Sequence, residues 1–94
     1  MTTTDIESAA RAGYETYFGN RRTWDRDRPN VQKHWLDAAA RVLNGEVTNG
    51  RHLRAAYLVD WASLAWQELR RHDRNLWSEV LAAMRSAATT EAAA

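Results

Sequence analysis

The chain contains no cysteine, which excludes disulfides and thiolate metal sites. Its four glycines are scattered at 13, 19, 45 and 50, so no glycine-rich loop can cradle a phosphate. Lysine is nearly missing: Lys33 stands alone beside twelve arginines. Thirteen basic residues against twelve acidic ones leave a formal charge of +1. A general nucleic-acid binder carries a larger basic excess, and so small a net charge gives no reason to expect attraction to a membrane. The most apolar stretch, 53–69, is interrupted by Arg54, Asp60, Gln67 and Glu68, too often to cross a bilayer. The first residues, MTTTDIES, lack the basic segment and apolar core of a secretory leader. A soluble, cytoplasmic protein is the expectation.

Tryptophan, by contrast, is abundant, with five in 94 residues. Each Trp that folds inward removes roughly 150–250 Å² from water. The five could therefore supply much of a core, or those left outside could anchor a partner. Seventeen alanines and the preference for Arg over Lys are the composition of GC-rich coding.

Apolar residues recur at helical spacing in four places. Thr4-Asp5-Ile6-Glu7 has capping-box form and opens a helix over about 5–18. Its apolar side is Ile6, Ala9, Ala10, Gly13, Tyr14 and Tyr17, with Phe18 at the edge, and Gly19-Asn20 stops it. Pro29 suits the first turn of a second helix, about 29–43, whose inner side is Val31, Trp35, Ala38, Ala39, Val42 and Leu43. Asn44-Gly45 ends it, and Asn49-Gly50 signals a turn. A third helix is predicted over about 50–71. Its apolar residues cover about two-thirds of the circumference, so it should lie centrally, with the others packed on it. A break near His72-Asp73 precedes a fourth helix, about 74–88, with the stripe Leu76, Trp77, Val80, Leu81, Met84 and Ala87. The expected architecture is all-α: one domain over 1–94, a bundle of four helices around the third, with 1–4 and 89–94 frayed. Asp60, at the edge of the apolar arc, should face solvent or pair with an Arg.

No catalytic constellation is apparent. His34, His52 and His72 fall in different elements without metal-ligand spacing; His34 reads as a hydrogen-bonded boundary residue. Asp60 and Glu68 are about 80° apart on the helical wheel, not a facing pair. Ser63 has no base at helical spacing to activate it. No catalytic residue, metal or cofactor is expected, and the protein reads as a non-enzyme. Arg70, Arg71, His72 and Arg74 would sit at the C-terminal end of helix three, where positive charge complements the helix dipole.

The unusual segment is 20–30, NRRTWDRDRPN. Four Arg and two Asp surround Trp24 with no periodicity, as in a loop. Arg and Trp are the residue types of interface hot spots. The interleaved Asp would repel a phosphate backbone and fit a mixed-charge protein interface better. On the other reading Trp24 folds back as a plug, and Asp25 and Asp27 neutralise the arginines.

Three segments carry a resemblance: Ala9-Ala10-Arg11-Ala12-Gly13-Tyr14-Glu15, then Trp24-Asp25, then Trp35-Leu36-Asp37-Ala38-Ala39-Ala40-Arg41-Val42-Leu43. In this order they resemble small helical proteins of actinobacteriophages and prophages. Those have an Ala-rich helix with a Tyr, a Trp, a Pro-started helix, and a Trp followed by an Ala-Ala-Arg run. The resemblance spans 9–43 and carries over no functional residue. It implies an accessory protein that binds and modulates a host or rival-phage component.

The reading that follows is a non-enzymatic phage accessory protein that docks a Trp/Arg surface on a host or defence protein. Its contact residues would be Arg21, Arg22, Trp24, Arg26 and Arg28, joined by Trp66 and Trp77 where exposed. Two alternatives stand beside it. One is a small DNA-binding regulator, with helices two and three as a helix-turn-helix; a mostly apolar helix three would read bases poorly. The other is a homo-oligomeric structural protein that pairs through helix three.

Overall fold

The computed structural model describes residues 3–57 and 66–93, and side-chain surroundings over 5–56 and 66–88. Within them the chain is all-α. Four helices run α1 (Thr3–Phe18), α2 (Pro29–Leu43), α3 (Gly50–Tyr57) and α4 (Arg71–Ala93), with 3₁₀ turns at Trp24–Arg26 and Trp66–Glu68.

Local chemistry sets most of these ends. At the end of α1, Gly19 takes φ +60°, and its N–H donates to the Glu15 carbonyl, the left-handed stop that a Cβ would strain. α2 opens on Pro29 at its first position. It closes on Gly45 at φ +80°, with Gly45 N–H to Val42 O and Glu46 N–H to Arg41 O, the paired bonds of a Schellman ending. α3 is capped by Asn49, whose Oδ1 accepts the His52 N–H at 3.0 Å. Asn49-Gly50, predicted as a turn, is thus also a helix start.

The core follows the predicted stripes of three helices. α1 contributes Ala9, Ala10 and Tyr14, α2 contributes Val31, Trp35, Ala38, Ala39 and Val42, and α4 contributes Trp77, Val80, Leu81 and Met84. Small residues let α1 and α4 approach closely. A Cβ at Gly13 would lie 2.5 and 2.9 Å from Met84 side-chain atoms. Aromatic rings fill the centre: Trp35 and Trp77 stack at 6.3 Å, and Tyr17 leans on both.

Several expectations are corrected. α1 begins at Thr3 and α4 continues to Ala93, so Thr4 lies inside α1 and 89–93 are helical. The third helix is described only over Gly50–Tyr57. The second half of the expected apolar rod, with Asp60 and Ser63, lies outside the described residues, and 66–68 form a 3₁₀ turn. Among the described residues the core centres on α1, α2 and α4, and α3 adds Leu53. α3 buries Gly50, Leu53 and Arg54 and leaves Ala55 exposed, because positions i, i+3 and i+4 face α4. The break falls at 69–70, and α4 starts at Arg71. The basic cluster Arg70, Arg71, His72 and Arg74 therefore lies at the N-terminal end of α4, where the dipole opposes positive charge; Asp73 in that first turn offsets it.

Candidate binding surface

The Arg-rich segment leaves α1, makes one 3₁₀ turn and enters α2. Trp24 is 6% exposed, and its ring meets Tyr14 edge-on at 5.3 Å. Its carbonyl accepts the Gln32 side-chain amide at 2.7 Å. Trp24 is thus a plug rather than an exposed anchor, because an indole beside the buried Tyr14 ring gains more by leaving water than by staying on the surface.

Beneath the segment lies a polar centre that sequence reading did not single out. The Asp27 side chain is 2% exposed. It accepts the Tyr14 hydroxyl, the Arg22 guanidinium at 2.6 Å and the Arg28 backbone N–H at 2.8 Å. Burial pushes the carboxyl upward. The Tyr14 hydrogen bond, the Arg28 amide and the Arg22 charge together outweigh burial and hold the group below its ordinary value of 3.8. Tyr14 is fully buried, so one residue joins the aromatic core to the loop's carboxylate. The only local signal for this was an Asp two residues before Pro29. Its main partner is 13 residues away, beyond what helical spacing reveals.

The arginines divide into two kinds. Arg21 donates to the Phe18 and Tyr17 carbonyls, both at 3.1 Å, and so closes the C-terminal end of α1, where a cation is favoured. Arg22 grips Asp27 and lies 4.8 Å over the Phe18 ring. Arg26 and Arg28 are exposed, and among the described residues their guanidiniums make no hydrogen bond. All four, with Thr23 and Asp27, surround one shallow groove of about 310 Å³. Asp25 instead turns to Arg11 at 3.3 Å, an exposed pair.

The other predicted contact residues are not brought here. Trp77 is 3% exposed and belongs to the core. The long third helix assumed for it and Trp66 is not the observed framework. Trp66 is half-buried against the core, in its own 3₁₀ turn. Of the predicted surface, the structure therefore brings together Arg21, Arg22, Arg26 and Arg28, and withdraws Trp24 and Trp77.

His34 is half-buried, whereas His52 and His72 are exposed. Among the described residues no three His, Cys, Asp or Glu side chains converge as metal ligands, and no helix is long and apolar enough to cross a membrane. No protein-family model, curated protein or solved structure matches the chain.

Proposed function

We propose that the chain is a non-enzymatic binding module, of the phage accessory kind that residues 9–43 resemble, which docks an acidic patch of a host or defence protein on its arginine groove. The observation that carries this reading is the division of labour among the four arginines. Arg21 and Arg22 are fixed by structural bonds, while Arg26 and Arg28 project uncommitted beside them around the same groove. Guanidiniums held in place before contact lose little freedom on binding, and their planar fork suits carboxylates. Asp27 is already consumed by Tyr14 and Arg22 and so does not cancel the outer pair.

The test is affinity capture from nuclease-treated host lysate with the wild-type chain and with Arg26→Glu/Arg28→Glu. The wild type should retain an acidic protein that the variant loses. Thermal midpoints should match, since exposed charges away from special contacts change stability by about 0.5 kcal/mol or less. Equal capture by both chains overturns the reading.

DNA binding has one observation in its favour. The described outer side of α3 is not apolar, and it exposes Arg51 and His52. Against it, the α2–α3 connection runs from Asn44 to Asn49, longer than a helix-turn-helix turn. Retention that disappears on nuclease treatment would favour this second reading.

A further inference from the structure

A separate groove of about 290 Å³ lies where the end of α1, α3 and the start of α4 meet. One wall is aromatic and apolar: Tyr17 and Trp77, with ring centroids 4.9 Å apart at 36°, together with Leu69 and Leu76. The others bring three charges, Arg21, Arg54 and Asp73. Arg54 is 9% exposed and is the buried charged residue of the described core. Arg21 spends Nε and one terminal nitrogen on the α1 carbonyls, which fixes the guanidinium and leaves its other terminal nitrogen.

We propose that this groove binds a compact monocarboxylate carried on an apolar, ring-sized body. Two guanidiniums at one concave site select an anion. Asp73 on the same wall repels a dianion, which disfavours phosphate, and leaves a net charge of one to be met. The volume sits at the lower edge of small-molecule sites, roughly 300–1,000 Å³, so a single ring-sized body is what fits against Tyr17 and Trp77. A free small acid and the C-terminal residue of a peptide share this chemistry. The site is independent of the acidic-partner reading, because Arg26 and Arg28 are not part of it.

The experiment is an NMR titration of the whole chain, following the Trp77 indole N–H and the backbone amides of 17–21 and 70–77. The probes are phenylacetate, benzyl alcohol, and a short peptide ending in Phe, with a free or an amidated C-terminus. Phenylacetate or the free-carboxylate peptide should give saturable shifts at these positions. Whichever binds tighter identifies the source. Benzyl alcohol and the amidated peptide should give none. Arg21→Gln, at an exposed position, should weaken the binding about tenfold or more with an unchanged circular dichroism spectrum. Arg54→Gln should do the same if it folds, and Arg21→Gln decides the matter if it does not. No saturable shift with either acid, equal shifts with the alcohol, or unchanged affinity in Arg21→Gln overturns the proposal.

Discussion

Asp27 is a carboxylate almost out of water, and its three donors are what make that position tolerable. Each donor lies at a different distance along the chain: Arg28 is adjacent, Arg22 five residues back and Tyr14 thirteen back. Removing one hydroxyl leaves the buried anion short of a donor. Tyr14→Phe should therefore destabilise the fold by about 1–3 kcal/mol, although it preserves the ring packing. In a double-mutant cycle with Asp27→Asn, the pair should show a coupling of about 0.5–3 kcal/mol at neutral pH. Additive losses would mean the hydroxyl and the carboxylate do not interact. The lowered pKa of Asp27 also fixes a pH dependence. Once pH drops below 3.8, the unfolded chain takes up a proton at this residue that the folded chain still refuses. The stabilisation is complete above the ordinary value and is lost as pH falls through the lower folded value. The stability gap between wild type and Asp27→Asn, measured by urea unfolding, should thus close on acidification below 3.8.

At the scale of elements, the helices that sequence reading placed well are those whose information is local. Pro29, Gly45 and the stripe Val31-Trp35-Ala38-Ala39-Val42 define α2 with no knowledge of its neighbours. The same holds for the inner face of α1 and for Trp77, Val80, Leu81 and Met84 of α4. The third helix was misread because a wide apolar arc says that a segment is covered, but not where the helix ends. Arg54 looked like an interruption on the wheel, yet it is buried, because α4 packs on the side holding Gly50, Leu53 and Arg54. That packing leaves no room at Gly50. An added Cβ would lie 2.9 Å from the Ser78 nitrogen and 3.0 Å from the Trp77 carbonyl carbon. Backbone atoms cannot swing aside, so Gly50→Ala should destabilise by about 1–3 kcal/mol despite the better helix propensity of alanine. Thermal unfolding checks this, and a stabilised variant would mean that α3 does not sit so close to α4.

For the whole molecule, the radius of gyration is 12.6 Å, against about 12 Å for a compact chain of this length. So small a body cannot spare five large aromatic side chains for its surface. That explains why the surface foreseen from residue types survives only in its arginines. The residues of the groove were legible as a cluster in 20–30; whether Trp24 faced in or out was not. That choice depends on Tyr14, Trp35 and Gln32 meeting it from two other helices. The central claim is that the Arg-rich segment is folded into the core through Trp24 and Asp27 and presents its outer arginines from a rigid base. Urea unfolding of Trp24→Ala tests it most directly. A loss of about 3–5 kcal/mol is predicted, and a variant as stable as the wild type would contradict it.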